Sequence, residues 1–132
     1  MGTEFAPIPA RVEDVAAAVI DAAIKVHKAL GPGLLESVYE ACLCYELSKR
    51  GIPCRRQVDM LVRYEDVLIE TGFRIDVLAD ECVIAEIKAV EAIIPIHEAQ
   101  LLTHLKLANI RLGLLLGFHV PLMKHGIKRM VN

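Results

Sequence analysis

Two carboxylates and a lysine supply the most chemistry-bearing pattern in the chain. Arg74-Ile75-Asp76 is followed, after nine intervening residues, by Glu86-Ile87-Lys88. Alternation of side chains along a strand gives Glu86 and Lys88 one face, and Arg74 and Asp76 one face. The stretch Phe73 to Lys88 carries two short apolar runs, Ile75-Val77-Ala79 and Val83-Ala85-Ile87, with Asp80-Glu81 between them, which predicts a hairpin with one buried face. An odd connecting loop sets Asp76 across from Glu86 and Arg74 across from Lys88; an even loop separates the acids onto opposite faces. Two carboxylates at cross-strand distance repel unless a cation or proton lies between them, and hard divalent ions take oxygen ligands of this kind. A lysine two residues on can hold a phosphate oxygen or an attacking water. The pattern reads as metal-dependent phosphodiester cleavage. A solvated hairpin face with ordinary cross-strand charge pairs accounts better for an isolated acid-x-lysine triplet, which is a common pattern, so the rest of the chain has to decide.

The elements that position these groups follow from pattern. A helix is expected from about Val12 to Leu30, with Val12, Val15, Val19, Ala22, Ala23, Val26 and Leu30 on one stripe, stopped by Gly31-Pro32-Gly33. A second helix is expected from about Leu35 to Arg50, with Leu35, Val38, Cys42 and Leu43 facing inward. Val58 to Tyr64 and Val67 to Glu70 read as strands about a Glu65-Asp66 turn, and the Phe73–Lys88 hairpin comes next. Pro95 suits the first turn of a helix running to about Asn109. Leu112 to Phe118 reads as a strand buried on both faces, and Ile127 to Val131 as a short last strand. The order predicts an α/β domain with a mixed sheet flanked by helices.

Composition sets the frame. The 132 residues suit one domain, taken as residues 11–132, after a first ten read as a tag remnant (Met-Gly-Thr-Glu-Phe) and a disordered start. Apolar residues make up 55%, yet no run approaches the about 18 needed to span a bilayer, so the excess is expected in the core and in a homodimer interface. Fifteen basic against seventeen acidic residues leave no broad electrostatic footprint for duplex DNA, and the absence of Trp argues against base-stacking platforms. Cys42, Cys44, Cys54 and Cys82 include no CxxC and are expected as free thiols in a reducing cytoplasm, with Cys54 and Cys82 standing alone. His27, His97 and His119 lack partners at zinc-ligand spacing.

Two further motifs join the hairpin. Gly33-Leu34-Leu35-Glu36-Ser37-Val38-Tyr39 matches a GxxExxY signature, and Gln100-Leu101-Leu102-Thr103-His104-Leu105 follows the Glu86-Ile87-Lys88 strand on the next helix. With Gly126-Ile127-Lys128-Arg129 near the end, the combination resembles the GxxExxY protein family of the PD-(D/E)XK nuclease superfamily, near nucleases of RecB type, over roughly Val12 to Val131. The resemblance implies a restriction-endonuclease-like core and a nuclease hydrolysing DNA with Mg²⁺ or Mn²⁺. Asp76, Glu86 and the Ile87 carbonyl would hold the ion, Glu36 would complete the acidic cluster, Lys88 would position water or steady phosphate charge, and Gln100 would orient substrate or Lys88. Tyr39, Arg74, His104, Lys128 and Arg129 are candidates for contacting substrate, with packing as the alternative for Tyr39. His104 stands where RecB-type helices commonly carry Tyr; it either donates to phosphate or faces solvent. His97, Gln100 and His104 share a helix face by spacing. Arg50, Arg55, Arg56 and Arg63 form one basic group, and Lys124, His125, Lys128 and Arg129 another, each a phosphate rim or a solvated surface. Some nucleases of this type carry an iron–sulfur cluster, which these cysteine positions do not suit. The alternative function is a nucleic-acid-binding or regulatory module that keeps the fold without the catalysis.

Overall fold

The computed structural model describes residues 6–132, so the tag-like Met1–Phe5 lies outside the described residues. Helix α1 (Ala10–Leu30) buries Val12, Val15, Ala16, Val19, Ala22, Ala23 and Val26, the small-residue stripe its sequence announces. Ahead of it, Ile8 packs against the core and the Ala6 carbonyl accepts from Arg111 Nη2 at 2.5 Å. Gly31, at φ 71°, ends the helix in a conformation a side chain would disfavour.

Helix α2 (Glu36–Lys49) is phased differently from the expectation. Tyr39, Leu43 and Leu47 face inward, whereas Leu35 is 74% and Val38 37% exposed. The inward side also carries Glu40 and Glu46, both buried and both ion-paired, to Arg56 and Lys25. Buried acids with partners mislead any rule that sends charge outward.

Strand β1 (Cys54–Tyr64) turns at Glu65-Asp66 into β2 (Val67–Ala79), a single strand where two were expected. The apparent break at Thr71-Gly72 is a bulge: pairing shifts from Met60↔Phe73 to Val62↔Ile69. A Cβ on Gly72 would come 2.2 Å from Val62 Cγ2, so a glycine is needed there. Beyond the bulge the two strands run on without a third among the described residues, exposing Leu61, Tyr64, Val67, Leu68 and Ile69. Strand β3 (Val83–Lys88) follows, then helix α3 (Pro95–Ala108), strand β4 (Leu112–Gly117), a 3₁₀ turn (Met123–Gly126) that the sequence pattern did not reveal, and β5 (Ile127–Val131).

The sheet order is β1-β2-β3-β4-β5, antiparallel except for the parallel β3–β4 pair that α3 connects. Helices α1 and α2 cover one face over Val77, Ala79, Val83, Ala85, Ile87, Leu112, Leu114 and Leu116. Helix α3 covers the other over Ile75, Leu78, Ile84 and Leu115. All six β4 residues are buried, as a doubly covered strand requires. The β2–β3 hairpin is also covered on both sides, not one, which is why Leu78 and Ile84 are buried alongside the alternate set. Cys54 does not stand alone: Cys44 of α2 lies close enough that the two thiols shift each other's pKa, that of Cys54 upward and that of Cys44 downward.

Candidate active site at the end of strand three

The β2–β3 loop, residues 80–82, is odd in number, and the register Val77↔Ala85, Leu78↔Ile84, Ala79↔Val83 follows from it. Continued by one step, that register sets Asp76 opposite Glu86. The backbone ladder has ended there. Asp76 Oδ2 instead accepts from the Ile87 N–H at 2.9 Å, a side chain standing where a strand bond would be. Alternation in β2 breaks at the same residue, since Val77 packs under α1 and α2 while Ile75 packs under α3. Asp76 therefore lies at the step between faces, half-buried, with Glu86 and Lys88 close enough to act on its charge.

The site is built from both layers. From the α2 side, Glu36 Oε2 accepts from Ala89 N–H at 2.6 Å, bringing the first turn of α2 onto the residue after Lys88. From the α3 side, His104 Nδ1 donates to Glu86 Oε1, and its ring stacks on Phe73 at 4.6 Å. His104 thus neither faces solvent nor stands free for phosphate. Glu86 is 3% exposed, so its carboxylate depends on that partner for compensation. Burial pushes the Asp76 carboxyl above its ordinary value; the Ile87 bond opposes this, Glu86 and Glu40 add to it, and Lys88 opposes it.

Two residues near Asp76 were missed by sequence reading. Glu40, one turn beyond Glu36, is buried and held by Arg56 Nε at 3.0 Å and Gln57 Nε2 at 2.8 Å. Gln57 Nε2 also approaches Asp76 Oδ1 at 3.5 Å. The spacing of Glu36 and Glu40 put both on one helix face and was a usable signal; nothing local pointed to Gln57.

The remaining candidates disperse. Gln100 is exposed and, among the described residues, hydrogen-bonds none of the acids, while His97 Nδ1 accepts from Ile94 N–H at the start of α3. Tyr39 is fully buried: its hydroxyl donates to Gly31 O at 2.6 Å and accepts from Leu34 N–H at 3.1 Å, and its ring stacks on Phe118. Tyr39 thus follows the packing alternative and ties the α1–α2 turn. Arg74 is bound to Asp59, and Arg129 grips Glu13 with two bonds of 2.6 and 2.8 Å. Lys128 lies 3.8 Å from Glu98 of α3 while Arg129 reaches α1, so the C-terminal basic group is split between the two layers. In the other basic group, Arg50, Arg55 and Arg56 pair with Asp21, Glu81 and Glu40.

A family model described as the PD-(D/E)XK nuclease superfamily matches residues 13–130. The chain belongs to the PD-(D/E)XK nuclease superfamily. No curated protein and no solved structure matches it. Glu86-Ile87-Lys88 reads as the (D/E)XK of the superfamily's name, and Ile75 stands before Asp76 where that name has a proline. Among the described residues no three His, Cys, Asp or Glu side chains are grouped so as to hold a metal ion as they stand. The carboxylates of Asp76 and Glu86 are oxygen donors of the kind a hard divalent cation takes, and burial together with the neighbouring Glu86 and Glu40 charges holds the Asp76 carboxyl above its ordinary value.

Proposed function

We propose that the protein is a divalent-cation-dependent nuclease hydrolysing phosphodiester bonds in DNA, with Mg²⁺ or Mn²⁺ as the ion. Superfamily membership supports nuclease chemistry in general. The observation that carries the specific reading is the parted β2–β3 ladder, with Asp76 bonded to Ile87 N–H beside Glu86 and Lys88. The Gly33–Tyr39 signature favours the GxxExxY family within the superfamily.

In this reading Asp76, Glu86 and the Ile87 carbonyl hold the ion, and Glu36 completes the acidic cluster. A bound divalent cation lowers the pKa of a coordinated water and offsets charge on the phosphate. Lys88, half-buried, directs its ammonium at the attacking water or at a phosphate oxygen, where charge grows as the new P–O bond forms. His104 keeps Glu86 oriented from α3. Gln100, on the exposed side of the same helix, contacts the substrate strand. The second reading is a nucleic-acid-binding or regulatory module without catalysis. It is favoured by Glu86 being engaged by His104 instead of standing free.

Cleavage of single- and double-stranded DNA with Mn²⁺ separates the two. Asp76→Ala and Glu86→Ala are expected to abolish cutting together with ion binding. Lys88→Ala is expected to keep ion binding in calorimetry and lower cleavage by about 10²-fold or more, the scale of one lost transition-state contact. Ion binding without cleavage, unaffected by Lys88→Ala, would leave the module reading.

The exposed Leu61, Tyr64, Val67, Leu68 and Ile69 support the expectation of a homodimer. Light scattering that finds only monomer at micromolar concentration refutes it. No described helix is long and apolar enough to cross a membrane. Four free thiols suit a reducing cytoplasm as the proposed setting.

A further inference from the structure

Gln57 is an unusual residue in an ordinary place. It lies in the middle of β1, yet its φ is 50°, a left-handed conformation that a residue with a side chain seldom adopts inside a strand. Pairing between β1 and β2 runs Arg56↔Val77 and then Val58↔Ile75, passing over Gln57 and Asp76. The two residues that leave the ladder are therefore cross-strand neighbours, and β2 exchanges its faces at the same step.

What this distortion achieves is visible in the side chains. The Gln57 amide nitrogen donates to Glu40 Oε2 at 2.8 Å and stands 3.5 Å from Asp76 Oδ1. Glu40 is a buried acid on α2, and Arg56 Nε fixes its other oxygen at 3.0 Å. In a regular strand Arg56 and Val58 would share a face and Gln57 would take the other; here Arg56 and Gln57 both reach Glu40 of α2 while Val58 packs on the α3 side. The left-handed twist instead sets its amide between two carboxylates from different elements. Glu40 is closed on both oxygens, so it anchors the amide and contributes no ligand. Asp76 is held on Oδ2 by Ile87 N–H, while the Gln57 amide stands 3.5 Å from Oδ1 and leaves that oxygen open to an ion. An amide donor to one oxygen orients a carboxylate without cancelling its charge, as an arginine there would.

We infer that Gln57, anchored by Glu40, is a positioning residue that sets the orientation of the Asp76 carboxylate for a divalent cation. The inference rests on the proposed role of Asp76 as an ion ligand and adds a partner outside the acid-acid-lysine pattern. Removing a residue that orients a ligand from behind typically costs about 10- to 100-fold in metal affinity. Gln57 touches neither substrate nor ion in this scheme; it acts through Asp76.

Mn²⁺ titration calorimetry on the full chain tests it, with Gln57→Met, Glu40→Gln and the double variant beside the wild type. Methionine keeps the length of glutamine and removes the donor. Gln57→Met is expected to bind Mn²⁺ about 10- to 100-fold more weakly. Melting in EDTA is expected to stay close to wild type, since Gln57 is exposed and a merely structural loss would show there. Because Glu40 and Gln57 act as one chain, the double variant is expected to lose less affinity than the product of the two single losses. An affinity of Gln57→Met within twofold of wild type overturns the inference, as do fully multiplicative losses or a wild type that binds no Mn²⁺. A wild type that binds Mn²⁺ and cuts no nucleic acid counts against the nuclease reading alone, because the inference is read from affinities.

Discussion

Asp76 shows how far a single carboxyl can work against the fold that holds it. Its pKa is raised by burial first and by Glu86 and Glu40 second. For an acid raised in this way, the folded state holds its proton more tightly than the unfolded state does. The contribution to stability is complete below the ordinary carboxylate value and is lost as pH rises through the raised folded value. Without divalent ions, Asp76→Asn is therefore expected to melt above wild type at neutral pH, and the difference is expected to close below about pH 4, where the unfolded carboxyl is protonated as well. Mn²⁺ should reverse the ranking, because the ion stabilises only a chain that can bind it. Thermal melts across pH, with and without Mn²⁺, check this; a metal-free Asp76→Asn protein that melts lower at pH 7 contradicts it. The substitution is informative because asparagine can still accept the Ile87 N–H bond.

At the scale of elements, legibility in the sequence tracks whether the signal is local. Helix α1 was readable because Val12, Val15, Val19, Ala22, Ala23 and Val26 repeat at helical spacing and all go inward. The hairpin register was readable as far as Val77↔Ala85 because it depends only on the parity of the loop at residues 80–82, whereas the end of the ladder at Asp76 was not. The phase of α2 was not, since Glu40 and Glu46 are buried through partners as distant as Arg56 and Lys25. The clamp at Gln57 was invisible for the same reason: α2, β1 and β2 must meet before it exists. Strand β2 was split at Gly72 because a glycine in a strand signals an end and a bulge equally well. Gly72→Ala tests the bulge. Its Cβ would meet Val62 Cγ2, and the crowding is expected to destabilise by roughly 1–3 kcal/mol. Adding Val62→Ala should recover part of that loss in chemical denaturation. A Gly72→Ala variant as stable as wild type would mean that Val62 yields without cost.

For the molecule as a whole, what matters is where the sheet has neighbours and where it does not. From Val77 to Ala79, β2 is flanked by strands on both edges and by helices on both faces. Past the Gly72 bulge the β1–β2 ribbon has neither a third strand nor a covering helix among the described residues, and Tyr64 is 67% and Val67 55% exposed. Two-stranded ribbons are at best marginally stable alone in water. The consequence is a gradient of local opening across a single sheet. Amide hydrogens paired between Val62–Tyr64 and Val67–Ile69 are expected to exchange through fraying, whereas those of Leu114, Leu115 and Leu116 should exchange only when the whole chain unfolds. Native-state hydrogen exchange under rising denaturant would show the ribbon amides insensitive to denaturant and the β4 amides following the global transition. Uniform protection at micromolar concentration would mean that another molecule covers the ribbon. The boundary between the two regimes falls near Gln57 and Asp76, so the proposed ion-binding acid is attached on one side to the most rigid part of the protein and on the other to its most yielding part.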